Sequence, residues 1–145
     1  MEFKSQIVTT KEQSNILLSF GLNKVTADCV ITSLGSKDRL IHTGEPITLI
    51  EGFKSKRIPC YPAWSLDRLL EMIPDVITFE YKFDKNIEDV EYNFVMLNKI
   101  SFQYENIDLN KVLVSFNNES LYESIIECII WLIKTGLFNK KFLNE

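Results

Sequence analysis

The segment Pro62-Ala63-Trp64-Ser65-Leu66-Asp67-Arg68-Leu69-Leu70-Glu71-Met72-Ile73-Pro74 constrains the fold more than any other stretch of this chain. Ser65 is a helix N-cap, Asp67 sits in the first turn where its charge meets the positive end of the helix dipole, and Pro74 disfavours helical geometry at Ile73. Leu66, Leu69, Leu70 and Ile73 recur at i, i+3, i+4 and i+7, one continuous apolar stripe. A short helix so patterned must lie face-down on a sheet or another helix. Pro59 and Pro62 hold the approach extended and turn Trp64 towards the helix start. The segment specifies a scaffold and has no chemistry of its own.

After Pro74 the period changes to two. Ile77, Phe79, Tyr81 and Phe83 alternate with Thr78, Glu80 and Lys82, the pattern of a half-buried strand with an aromatic inner face. Tyr92, Phe94, Met96, Ile100, Phe102 and Tyr104 keep one parity across Asn98 and Lys99. Either one long strand or a tight hairpin at Asn98-Lys99 satisfies that pattern. Val112, Val114 and Phe116 give a further strand, and the short links favour antiparallel pairing.

Upstream, Gln6 to Thr9 reads as a short extended lead. Thr10-Lys11-Glu12-Gln13 is a capping box that starts a helix at Lys11, with Ile16, Leu17 and Phe20 as its apolar face and Gly21 as its terminator. Cys29 to Leu34 and Ile47 to Glu51 are rich in β-branched residues and predict two strands, with a turn at Ser36-Lys37-Asp38 and room for a short strand at Arg39 to His42. From Glu119 to about Leu137 runs the strongest helical pattern, apolar around most of its circumference, with Asn118 as N-cap and Gly136 as terminator. The expected fold is a single α+β domain of two layers: a mostly antiparallel sheet of about five strands, a long C-terminal helix and two shorter helices, in the order α-β-β-α-β-β-β-α.

Composition narrows the function classes. A chain of 145 residues with 46% hydrophobic content can bury one sizeable core. A net charge of −4 and pI near 5.1 disfavour general attraction to nucleic acid or anionic lipid. The longest apolar run in the C-terminal half, Ile125 to Ile133, is interrupted by Glu127 and falls far short of the ~20 residues a membrane span needs. The start, Met1-Glu2-Phe3-Lys4-Ser5-Gln6, has no basic and apolar leader pattern. Cys29, Cys60 and Cys128 are an odd number at wide spacings, which fits reduced thiols and a cytoplasmic setting.

No catalytic or metal-binding constellation stands out. His42 is the one histidine, so paired-histidine metal sites are excluded, and no Cys-x-x-Cys offers thiolates. His42 as a base for Cys60 has no support in their spacing, and a loop histidine is the simpler reading. The five glycines form no phosphate loop, so no cofactor is implied. Asp84 to Asp89 lacks the glycine and the bidentate Glu of a calcium loop and reads as an acidic hairpin loop. Trp64 and Trp131 lie in strongly apolar elements, where core packing is a better account than a binding surface. The densest positive cluster lies in Phe53-Lys54-Ser55-Lys56-Arg57, with Tyr61 nearby. Lys54, Lys56, Arg57 and Tyr61 are therefore the candidate interaction surface, set against the plainer reading of a solvated loop.

Thr10 to Asp28 (Thr10-x-x-Gln13, Leu17-Leu18, Gly21-Leu22, Thr26-Ala27-Asp28), Pro62 to Pro74, and Glu127 to Gly136 with Trp131-Leu132 resemble a group of small uncharacterised proteins of Bacteroides-type gut bacteria, their phages and mobile elements. The resemblance covers about a third of the chain and implies an intracellular accessory protein, with no activity, cofactor or catalytic residue to carry over. Where such chains place small alanines early in the last helix, this one has Tyr122, Glu123 and Ser124. The expected function is a non-enzymatic protein of a phage or mobile element that binds an unidentified protein partner. A structural virion component is one alternative, and a nucleic-acid-contacting or enzymatic protein using the basic loop is another. A homodimer formed through an uncovered sheet face or edge is a further expectation.

Overall fold

The computed structural model describes residues 6–32 and 40–145. The turn expected at Ser36-Lys37-Asp38 and the end of the strand expected to reach Leu34 lie outside the described residues. The described residues form an α+β fold with two antiparallel sheets, of three and four strands, and a long C-terminal helix. The chain divides into two compact units, Met1–Met72 with Asn139–Glu145, and Ile73–Phe138.

In the first unit, α1 (Lys11–Ser19) starts with the capping box read from sequence: the Gln13 amide donates to the Thr10 hydroxyl (3.1 Å) and the Thr10 amide to the Gln13 side chain (3.0 Å). It ends at Gly21 (φ 102), where the Leu22 and Gly21 amides return to the carbonyls of Leu17 and Leu18, a Schellman closure. The buried face differs from expectation. Ile16 and Phe20 are 41% and 36% exposed, whereas Gln13, Ser14 and Leu17 are buried. A polar face can be buried here because the Ser14 and Thr9 hydroxyls hydrogen-bond each other at 2.7 Å.

β1 (Cys29–Thr32) is the centre of the three-stranded sheet, flanked by β2 (Leu40–Thr43) and β3 (Cys60–Ala63). The strand expected at Ile47 to Glu51 is instead the middle of α2 (Pro46–Ser55). Pro46 occupies the first helical turn, where it costs no hydrogen bond, and Pro46, Leu49, Ile50 and Phe53 recur at helical spacing and point inward. β3 corrects the expectation of a merely extended approach. Pro62 lies opposite Val30 on a strand at the edge of the sheet, where the missing N–H is tolerated. α3 (Leu66–Met72) follows, with its cap on Ser65 as expected: the Arg68 amide donates to the Ser65 hydroxyl at 3.3 Å. The C-terminal residues clasp this unit, with Leu143 bridging Leu22, the Asn23 amide donating to the Phe142 carbonyl and the Asn144 amide to that of Gly21, both at 2.8 Å.

In the second unit, β4 (Val76–Phe83), β5 (Asn86–Met96), β6 (Ser101–Asn106) and β7 (Lys111–Asn117) meander in sequence order. The segment 92–104 is a hairpin, and Asn98 makes its turn through the side chain: the carboxamide oxygen accepts from the amides of Ile100 and Ser101, each at 2.9 Å. Asp84 to Asp89 is the tip of the β4–β5 hairpin and the start of β5, as the acidic-loop reading required. α4 (Leu121–Thr135) covers the aromatic face, with Trp131 within 6.1–6.4 Å of the rings of Phe79, Tyr104 and Phe116. Its N-cap is Ser120, not Asn118: the Ser120 hydroxyl accepts from the Glu123 amide, whereas Asn118 donates its own amide to the Ser124 hydroxyl. Gly136 ends it in the left-handed region (φ 75). One sheet of about five strands is thus replaced by two, because the Cys60–Ala63 segment pairs with β1 and the meander after Pro74 is complete without it.

Candidate functional site

The basic residues belong to a helix end. Lys54 lies in the last turn of α2, Lys56 is its C-cap and Arg57 follows with φ 58; all three are exposed. The Ile58 amide donates to the Phe53 carbonyl at 2.8 Å and the Arg57 amide to that of Lys54 at 3.0 Å, a Schellman closure with arginine where glycine is usual. A side chain in the left-handed region costs roughly 1–2 kcal/mol. Arg57→Gly is therefore expected to stabilise the chain by about 1 kcal/mol, read as a raised urea midpoint at unchanged m-value.

Tyr61 does not join this surface. Opposed residues in an antiparallel pair share a face, so Val30, Thr32, His42, Cys60 and Pro62 stand on one side of the sheet and Cys29, Ile31, Tyr61 and Ala63 on the other. α2 lies on the first side, where Phe53 contacts the His42 ring at 5.2 Å and the Cys60 thiol points to the Ile50 carbonyl at 3.8 Å. Tyr61 packs on the second side against Val8, Cys29, Ile31 and Ala63, with the Lys11 ammonium 6.0 Å from its ring centre. Strand parity thus separates Tyr61 from the face of the sheet that carries α2.

His42 and Cys60 share a face but flank the central strand, opposite Val30 and Thr32 respectively, so two strand spacings across the sheet and two residues along it set them about 11–12 Å apart. The histidine Nε2 pairs with the Thr32 hydroxyl at 3.1 Å. The other two thiols are buried. Burial, then the neighbouring Asp28 carboxylate, pushes Cys29 up to about 11, and burial with Glu127 raises Cys128. At pH 8 a disulfide reagent should therefore modify Cys60 alone in the folded chain, and the others only after denaturation, as thiol titration with peptide mapping would show. The neutral Cys29 thiol is favoured by folding, so its contribution is complete below about pH 9 and is lost as pH rises through about 11. Urea midpoints should fall over that window, less steeply in Cys29→Ala.

A polar joint that sequence reasoning missed ties distant parts of the first unit. Asp28 accepts from the Ser65 hydroxyl and, at 2.8 Å, from the Ser65 amide. Arg68 donates Nε to the Thr26 carbonyl at 2.8 Å, pairs with Glu71 at 3.0 Å and lies 5.7 Å from the Phe142 ring centre. The Trp64 indole donates to the Thr26 hydroxyl at 2.9 Å. The Ser65 hydroxyl also caps α3 by accepting from the Arg68 amide, so the joint ties the start of this helix to Asp28. The only signal for it was the occurrence of Thr26-Ala27-Asp28 and Trp64-Ser65 as separate motifs.

A surface cleft of about 530 Å³ is lined, among the described residues, by Lys140, Lys141, Leu143, Asn144 and Glu145, one stretch of chain. Among the described residues no three His, Cys, Asp or Glu side chains are arranged to hold a metal ion, and no helix is long and apolar enough to cross a membrane. Comparison of the chain with protein-family models, curated proteins and solved structures finds no match.

Proposed function

We propose that this chain is a small non-enzymatic accessory protein that works by binding another protein, with the turn at Lys54, Lys56 and Arg57 as the contact for an acidic segment of that partner. One observation carries the reading: Arg57 occupies a left-handed position at an exposed helix end where glycine would be held at lower cost. The helix dipole alone accounts for lysines near a C-terminus, but it gives no reason for a strained arginine. Among the described residues no ion pair engages any of the three cations, and they stand in a chain of net charge −4. A phage or mobile-element setting rests on the resemblance of residues 10–28, 62–74 and 127–136 alone.

The test is affinity capture from a Bacteroides-type cell lysate with the wild-type chain and with Lys54→Glu/Lys56→Glu/Arg57→Glu. The reading expects a stoichiometric partner held by the wild type, released by moderate salt and lost from the triple variant. Capture of nothing specific, or equal capture by both chains, counts against it. Salt-sensitive retention of the wild type alone on single- or double-stranded nucleic acid would transfer the same turn to the nucleic-acid reading.

A further inference from the structure

β4 is an end strand of the four-stranded sheet, and among the described residues its strand partner is β5 alone. The β5–β6 ladder covers Asn93 to Met96, and the last tie between the two strands is from the Asn106 side chain to the Glu91 carbonyl. Residues 86–90 of β5 therefore have no partner in β6, and the tip of the β4–β5 hairpin continues as a two-stranded arm of about 16 Å. Such a ribbon is marginal by itself, and its open edge is a template for another strand.

The side chains along that edge specify one neighbour. Phe79, Tyr81 and Phe83 are half-buried on one face, and Thr78, Glu80 and Lys82 are exposed on the other. Within the chain Glu80 stands directly opposite Asp89, an unfavourable like-charge pair that calls for a cation on its free side. If two copies of β4 pair antiparallel about a two-fold axis through Tyr81, each Glu80 meets Lys82 of the second copy and each Lys82 meets its Glu80. On the other face Phe79 meets Phe83, and Tyr81 meets itself. A slip of the axis by one residue either way sets Glu80 against Glu80 or Lys82 against Lys82, and an axis at Phe79 sets Glu80 against Thr78 with no charge pair.

We propose that the chain forms a two-fold dimer through its β4 edges with Tyr81 on the axis, joining two four-stranded sheets into one of eight. The proposal is independent of the basic turn.

Sedimentation equilibrium of the full chain tests it. The expected mass is twice 16.9 kDa at micromolar concentration. Glu80→Lys and Lys82→Glu should each weaken the dimer about tenfold or more, since each turns two attractive pairs into two repulsive ones, and the double swap should return it to near wild-type affinity. Directly opposed strand residues lie within disulfide reach, so Tyr81→Cys should form a disulfide-linked dimer under mild oxidation, whereas Phe79→Cys and Phe83→Cys should not. A monomer at every concentration overturns the dimer. A dimer indifferent to the charge swaps, or one that Tyr81→Cys fails to link, overturns this edge and register.

Discussion

Trp64→Ala is expected to be the most damaging single substitution in the first unit. The ring is 0% exposed, its indole donates to Thr26, and its backbone is tied to Thr9 in both directions, through the Thr9 amide to the Trp64 carbonyl (2.9 Å) and the Trp64 amide to the Thr9 hydroxyl (3.1 Å). Emptying such a site costs about 3–5 kcal/mol, a large fraction of what a domain of this size has. Hydrogen exchange by mass spectrometry should show lost protection over 8–32 and 60–72. Trp64→Phe keeps most of the buried ring but leaves the Thr26 hydroxyl without its donor, and should cost about 1–3 kcal/mol. Near wild-type protection in Trp64→Ala would remove the case for this residue as the pin of the unit.

Trp131→Ala should produce the corresponding effect in the second unit. Its ring joins Phe79 of β4, Tyr104 of β6 and Phe116 of β7, so its removal opens a hole facing three strands. The ring is half-buried, which sets the cost at about 3 kcal/mol, the lower end of the range for tryptophan. Trp131→Phe should recover most of that. These are the chain's two tryptophans, one in each unit, so Trp64→Phe and Trp131→Phe leave single fluorophores that report the two units separately during denaturant titrations.

The parts of the fold that sequence made legible are those written in a few neighbouring residues. Thr10 with Gln13, Gly21 with Leu22 and the change of period at Pro74 each encode a structure that closes within one element or one turn, whereas the shared parity of 92–104 fits one long strand as well as the hairpin that forms. The failures come from competition or distance. Ile47, Thr48 and Ile50 carry a strand-like β-branched signal, yet Pro46 at the first turn and the inward spacing to Phe53 decide for helix. Prolines at 59 and 62 disguise β3, because a proline is compatible with a strand only at an edge, and edge status depends on which strand pairs with which. The same non-local choice divides one expected sheet into two.

The candidate site shows the same limit. The cations of 54–57 are visible as a cluster, but their place at a helix end is hidden because the β-branched Ile47, Thr48 and Ile50 imitate a strand. Proximity in sequence groups Tyr61 with them, whereas the two-residue alternation of β3 sends it to the opposite face. The Asp28–Ser65 joint spans 37 positions and leaves no periodic trace at either end.

The clasp of residues 139–145 onto Gly21, Leu22 and Asn23 has a consequence for synthesis. The first unit is interrupted by the whole of the second, so its N-terminal part emerges from the ribosome well before the segment that seals Leu22. At about 5–20 residues per second, the intervening stretch delays that closure by about 3–13 s. During this interval the meander can form, while the nascent first unit presents an unsealed apolar seam to chaperones and proteases.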